Sequence, residues 1–329
     1  MIITKTPFRV SFAGGGTDLK EFYEKEEGAV LSTTINKYMY LALHRYFENK
    51  IVLKYSQTEN VNSVSEIQHK LIKQCFLKTN TNKFVEITSF ADIPAAGTGL
   101  GSSSAFTVGL LKALYTFNNQ NRDNMILAKE AHEIEFEELG EPGGKQDQYA
   151  CAVGGMNVIK FSPDGNVIIE PLAIPKSTKK ELNQNLLMFY TGISRSSSMI
   201  HHEQRKEVLK ADKFKNLCQM RDMVYELRDT LKENDLSTFG KILDKGWRLK
   251  RGLTSITSNN VLDGYYDKAI KLGATGGKLL GAGGGGFFLF YCDPEKQQNL
   301  RENLGLKEVK FEFEPQGSRV IYLEDSDEY

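Results

Sequence analysis

The chain's chemistry-bearing residues gather around glycine. From Ile93 to Ala105 it reads IPAAGTGLGSSSA: Gly97, Gly99 and Gly101 interleave with Thr98 and Leu100, and Ser102, Ser103 and Ser104 follow at once. A loop that leaves a strand and enters a helix presents unpaired N–H groups at the positive end of the helix dipole. Glycine lets such a backbone close around an anion, and the hydroxyls can cap the helix or ligate phosphate or Mg²⁺. A phosphate cradle suits the pattern better than a linker, because an apolar helical run (FTVGLLKALYTF) begins directly after it.

Other uses of such residues fail on spacing. A Walker A loop needs GxxxxGK[ST], and Gly277-Lys278-Leu279 lacks both the hydroxyl and the first glycine. A serine-hydrolase elbow needs GxSxG, whereas Ser103 sits in Gly101-Ser-Ser-Ser-Ala105. Gly281-Ala-Gly-Gly-Gly-Gly286 meets a dinucleotide fingerprint formally, but a strand-like FFLFYC follows where a helix is required. The HRD and DFG motifs of protein kinases are missing.

Phosphoryl transfer also needs oxygen ligands for a metal and a group that positions the attacking hydroxyl. Carboxylates for both tasks occur in Glu135-Phe-Glu-Glu-Leu-Gly-Glu-Pro-Gly-Gly-Lys-Gln-Asp147. Glu135 falls on a helix expected over 123–139, and Asp147 opens the next one. The intervening Gly/Pro turn can fold both toward one site. Glu137 and Glu138 read as a solvated helix face.

The elements that must position these groups follow from periodicity. MIITKTPFRVSFAG alternates as a strand and breaks at Gly14-Gly15-Gly16, and residues 29–47 are β-rich enough to cross a sheet at least once more. IVLKYS and FVEITSFADI are strands on either side of a helical stretch near 64–78. GGMNVIKFS and NVIIEPLAI form a pair joined at Pro163-Asp-Gly165. Farther on, NLLMFYTG is a strand, helices are expected over 197–232, 236–250 and 260–272, and FFLFYC, LKEVKFEFE and SRVIYLE supply the remaining strands. This is not the strict βαβ rhythm of a doubly wound sheet. Two α+β domains are expected, 1–175 and 180–329, with the charged Pro175-Lys-Ser-Thr-Lys-Lys180 as their boundary.

Bulk properties narrow the class. Lysine plus arginine (42) balances aspartate plus glutamate (42), so no global field draws the chain to nucleic acid or an acidic membrane. Cys75, Cys151, Cys218 and Cys292 are too scattered for a zinc site or disulfide framework, which fits a reducing cytoplasm. The first residues lack a basic leader and long apolar run, and no window reaches the ~20 apolar residues of a membrane span. A cytoplasmic protein is expected. His201 and His202 would point about 100° apart on a helix, so a surface position is expected rather than a metal site.

Three ordered motifs resemble those of the GHMP kinases, the superfamily of galactokinase, homoserine kinase, mevalonate kinase and phosphomevalonate kinase. They are Pro7-Phe-Arg-Val-Ser-Phe-Ala-Gly-Gly-Gly-Thr-Asp18, the stretch from Pro94 to Ala105, and Gly273-Ala-Thr-Gly-Gly-Lys-Leu-Leu-Gly-Ala-Gly-Gly-Gly-Gly286. The resemblance spans essentially the whole chain. It implies an α+β fold with an N-terminal ribosomal-protein-S5-domain-2-like domain, a C-terminal ferredoxin-like domain and the active site between them.

By the same resemblance ATP is the co-substrate and residues 97–104 hold its phosphates; apart from it, the base is expected in the region of residues 53–75. Ser104 and Glu135 ligate Mg²⁺. Asp147 faces the acceptor hydroxyl as base or orienting group, with Arg9 beside it to neutralise the transferring phosphoryl group. Gly15, Gly16, Thr17 and Asp18 contact the sugar, and Gly283 and Gly284 close on phosphates or acceptor.

Where galactokinase has Glu-His this chain has Gly15-Gly16, which opens the pocket and argues against galactose. FAGGGTDL with the later YTGISRSSS resembles a bacterial sugar-kinase branch that includes heptose 7-phosphate kinases, with fucokinase-like enzymes as neighbours. Such an enzyme phosphorylates the anomeric hydroxyl of a sugar phosphate, supplying nucleotide-activated heptose for surface polysaccharide. Arg195, with Ser196, Ser197 and Ser198, is the candidate seat for the 7-phosphate, ahead of Lys278 and Arg251. The superfamily also contains sugar- and nucleotide-binding regulators, but Arg9, Ser104, Glu135 and Asp147 together favour an enzyme. A homodimer is compatible with this reading, and no nucleic-acid partner is expected.

Overall fold

A computed structural model describes residues 1–82, 84–94, 97–194 and 197–324. The first strand, β1 (Ile2–Ala13), pairs antiparallel with β2 (Gly28–Arg45) along nearly its whole length; the short α1 (Lys20–Tyr23) lies between them. β2 is one long strand, not two crossings. Residues 29–44 hold no glycine or proline to turn the chain, and a bulge at Asn36-Lys37, between the pairs Phe8–Ile35 and Pro7–Tyr38, bends it instead.

The other edge of β2 is shared by three strands. Residues 28–33 pair with β6 (Met156–Phe161), residues 34–35 with β12 (Phe313–Glu314), and residues 39–45 with β5 (Val85–Ala91). β3 (Ile51–Lys54) runs parallel to β5 and carries β4 (Thr58–Val61), while β7 (Val167–Pro171) flanks β6. On the far side β13 (Arg319–Leu323) pairs with β1. Strands from the chain's last residues thus complete the first sheet, although they lie in the expected second segment. The expected boundary at 175–180 falls where α6 (Lys176–Asn185) opens, a helix that buries Thr178 and Leu182.

Helices α2 (Lys70–Lys78), α3 (Ser102–Phe117), α4 (Asn124–His132) and α5 (Gln146–Val153) cover this sheet. α3 is apolar around most of its circumference, as befits a central helix. It reaches the sheet at Gly109, where a Cβ would sit 2.8 Å from the Thr6 hydroxyl.

The second sheet has the order β11 (Lys307–Glu308), β8 (Leu186–Tyr190), β10 (Phe287–Tyr291) and β9 (Gly276–Leu279), all antiparallel. Around it stand α7 (Ser197–Glu207), α8 (Ala211–Lys232), α9 (Leu236–Arg251), α10 (Asn260–Lys271) and α11 (Pro294–Asn303). β10 alternates as a strand buried on both faces must. Phe288 and Phe290 pack with Trp247 and Tyr266, while Phe287, Leu289 and Tyr291 enter a core shared with Phe12, Leu227 and Phe239. That shared core sets the two sheets in a fixed relation, and the glycine loops meet at its edge.

Candidate active site

The glycine–serine loop is tied to β1 by the Arg9 N–H, which donates to the Leu100 carbonyl at 3.0 Å. Gly97, Gly99 and Gly101 all have φ between +65° and +74°, a left-handed backbone that only glycine enters cheaply. Gly101 is the residue before the first turn of α3, and no side chain caps that helix. The first-turn N–H groups therefore face outward, as an anion site requires.

Beneath the loop lies the ion pair at the site's centre. Arg9, 3% exposed, donates from Nε to Asp147 Oδ1 and from Nη2 to Oδ2, both at 2.7 Å. Its Nη1 donates to the Gly99 carbonyl at 2.6 Å, so one guanidinium sets both the carboxylate and the loop. Gly101 leans on this pair: a Cβ there would sit 3.1 Å from Arg9 Cγ and 3.5 Å from Asp147 Oδ2.

Asp18 is placed by the Gly/Pro turn. Its carboxylate accepts from the N–H of Gly16 (3.0 Å), the N–H of Gln146 (3.2 Å) and Gln146 Nε2 (3.0 Å). A Cβ on Gly144 would fall 2.0 Å from Asp18 Oδ2, which explains the glycine. Burial raises the Asp18 pKa, the Asp147 charge adds to this, and the N–H donors oppose it.

Glu135 sits in a wider π-helical turn, Glu133–Glu138, which swings its side chain inward. Oε1 accepts from the Thr107 hydroxyl (2.6 Å), and Oε2 from Ser104 (3.2 Å) and Gln148 Nε2 (3.1 Å). Gln148 Nε2 also donates to Ser104 Oγ at 2.8 Å, while its Oε1 is buried without a partner. Burial pushes the Glu135 carboxyl up to about 7 against these hydrogen bonds. Glu137 and Glu138 are exposed, as their reading required.

A cavity of about 730 Å³ unites these groups. Arg9, Gly15, Gly16, Asp18, Gly97, Thr98, Gly99, Gly101, Ser102, Ser103, Ser104 and Asp147 all line it. One end is walled by Tyr55, His69, Leu71 and Phe106, with the Tyr55 and His69 rings edge to face at 4.8 Å.

Several expectations change. Thr17 is turned away: its hydroxyl donates to the Gly14 and Ala29 carbonyls and holds the glycine turn. Leu100 is in the core, and only its backbone serves the loop. Gly283 and Gly284 pack on Thr257, to whose carbonyl Gly284 N donates at 2.9 Å, and Gly281 and Ala282 line the cavity instead. Arg195 and Ser196 lie outside the described residues.

His201 is not a surface residue but a cavity wall, together with Gln204 and Lys250. Lys250 had a readable signal: Leu236, Phe239, Leu243, Trp247 and Lys250 share one helical stripe, and a lysine in line with buried residues is conspicuous.

A glycine loop at a helix N-terminus, a carboxylate locked by arginine and a second glycine loop facing them define a phosphotransferase site. The matching family models are GHMP kinases N terminal domain, over residues 64–155, and GHMP kinases C terminal, over residues 227–309. The chain belongs to the GHMP kinases, phosphotransferases that use ATP and an alcohol acceptor.

It is 34% identical to the D-glycero-alpha-D-manno-heptose 7-phosphate kinase of Campylobacter jejuni, covering 91% of each chain. The galactokinase of Pyrococcus furiosus is 29% identical, with 95% and 94% covered. Among solved structures, a D-glycero-D-manno-heptose 1-phosphate kinase from Bacteriodes thetaiotaomicron superposes with a TM-score of 0.82 at 25% identity, covering 99% of this chain and 100% of that one. No described helix is long and apolar enough to cross a membrane.

Proposed function

We propose that this chain transfers the γ-phosphoryl group of ATP to the anomeric hydroxyl of D-glycero-D-manno-heptose 7-phosphate. The observation that carries the reading is the Arg9–Asp147 pair beside Asp18, in a cavity widened where Gly15 and Gly16 bear no side chains. The heptose kinase names of two relatives support the acceptor class.

In this reading the acceptor oxygen lies by Asp147, which takes its proton or orients it. The new bond forms between that oxygen and the γ-phosphorus as the bond to the ADP oxygen breaks. The N–H groups of residues 97–104 hold the phosphates, and Arg9 offsets charge on the transferring group while fixing Asp147. Asp18 accepts from sugar hydroxyls, and the base lies among Tyr55, His69 and Phe106.

The residues also suit Mg²⁺, which prefers oxygen and keeps water and phosphate ligands. Among the described residues no group of three or more His, Cys, Asp or Glu could hold a metal, but Ser104 Oγ and Glu135 are paired, with the orphaned Gln148 Oε1 alongside. Ser104 and Glu135 would hold the ion, which when bound draws charge from the phosphate oxygens.

Steady-state kinetics with heptose 7-phosphate, free heptose, L-fucose and galactose tests the acceptor, with NMR fixing the position of the new phosphate. We expect the 7-phosphate to lead in kcat/KM by orders of magnitude and the product to be the 1,7-bisphosphate. Equal use of an unphosphorylated sugar would sink the assignment.

A further inference from the structure

A lysine sealed from water is costly unless an anion accompanies it. Two such lysines flank the second glycine loop. Lys250, 5% exposed, donates from Nζ to the Leu279 carbonyl at 3.2 Å and to that of Gly281. Lys278 donates to the Phe12 carbonyl at 2.9 Å. Among the described residues neither has a carboxylate within ion-pair distance.

Lys278 is shut away from the cavity, whereas Lys250 lines it. An ammonium has three N–H groups, so after two carbonyls Lys250 keeps one for the cavity. His201, half-buried, lines the same wall, and its Nδ1 is sealed without a partner. Gln204, one turn farther along α7, donates to the Ala282 carbonyl at 3.3 Å.

The wall is held in place. α7 is fastened to the first half of the chain by Ser198 Oγ on Glu141 (2.7 Å) and by Arg205 Nε on Glu21 (2.5 Å). In the same cavity stand Gly15, Gly16 and Asp18, so the space freed by the two glycines is bounded by a basic wall.

We propose that Lys250 and His201 seat a phosphate group carried by the acceptor. This rests on the reading of the acceptor as a sugar phosphate. A phosphate near Asp18 and Asp147 would be repelled by both carboxylates unless cations intervened, and these two side chains supply them. Burial, helped by the Arg9 charge, brings the Lys250 pKa down to about 7 against the pull of Asp18. Burial lowers His201 too, against Asp18 and Asp147. A dianion arriving between them would restore both charges.

The test compares heptose 7-phosphate with free heptose in wild type, K250M and H201Q, and adds inorganic phosphate as an inhibitor. In K250M the ratio of kcat/KM for the phosphorylated over the free sugar should fall about 100-fold, the scale of a lost charge-assisted hydrogen bond. H201Q should lower it about tenfold, again as a lost hydrogen bond to a charged group. Phosphate should compete with the acceptor in wild type and compete at least tenfold less well in K250M, on the same reasoning.

An equal loss with both sugars would place Lys250 at the transferring phosphoryl group and overturn the proposal, as would undiminished phosphate competition. The wild-type preference alone judges the acceptor reading, and phosphate competition judges the anion seat whichever sugar wins. Should K250M fail to fold, H201Q carries the same ratio test, and an unchanged ratio there overturns the paired seat.

Discussion

Replacing Gly99 by alanine should separate two loops that touch backbone to backbone. A Cβ at Gly99 would stand 2.5 Å from the Leu280 carbonyl oxygen and 3.1 Å from Gly281 N, and a Cβ at Gly281 would in turn reach Gly99 Cα at 2.3 Å. The first distance is about 0.9 Å short of ordinary contact, and both neighbours are backbone, so the loops must part. The φ of +74° adds about 1 kcal/mol for a residue with Cβ, and overlap of this kind adds roughly 1–3 kcal/mol.

Displacement would be felt in the chemistry, because the Gly99 carbonyl receives Arg9 Nη1 at 2.6 Å and Arg9 holds Asp147. A misplacement near 1 Å can cost about 100-fold in rate, which is the fall in kcat expected from initial rates of ADP release. Urea unfolding should show a loss of about 2–4 kcal/mol. Gly305→Ala is the control: its φ is +81° with nothing within 4 Å of a Cβ, so only the conformational penalty applies and kcat should hold. If Gly99→Ala matched that control in stability and kept kcat within about threefold, the steric coupling of the loops would be refuted.

Asp147→Asn should lower kcat about 1,000-fold with nucleotide affinity, read by fluorescence titration, nearly intact; a near-normal kcat would remove Asp147 from the reaction. Ser104→Ala and Glu135→Gln should each raise the Mg²⁺ needed for half-maximal rate about tenfold, and an unchanged Mg²⁺ curve would count against both.

His132, packed on Phe136 with ring centroids 5.0 Å apart, is pressed from 6.5 to about 4 by burial and then by the Lys145 charge. The unfolded chain therefore binds a proton that the folded chain refuses, and stability is lost as pH falls from 6.5 to 4. The slope is at most about 1.4 kcal/mol per pH unit, and His132→Gln should flatten it in urea midpoints. Identical slopes in the two proteins would exclude His132 as the source.

Local pattern carried much of this architecture, because glycine spacing, helix periodicity and strand alternation act over a few residues. Arg9, Asp18 and Asp147 were readable as members of ordered motifs. Their convergence was not a matter of local spacing: 138 residues separate the two ends of the Arg9–Asp147 bond. What stayed hidden depends on distant packing. The π-helical turn under Glu135 has no letter of its own, and the bulge that lets β2 run on is a property of its pairing with β1. Gly283 and Gly284 belong to a glycine run whose members look alike until Thr257 distinguishes them from Gly281. The place of His201 in the cavity wall depends on what packs against α7, which its spacing from His202 does not carry.

The pairing of β13 with β1 bears on how the molecule comes into being. A ribosome delivers Arg319 to Leu323 some three hundred residues after their partners Ile2 to Lys5. At about 5–20 residues per second, that strand waits on the order of 15–60 s with one edge open. The start of the strand that carries Arg9 is thus made long before its outer edge is enclosed. During synthesis its bare edge is a template that a chaperone would have reason to cover.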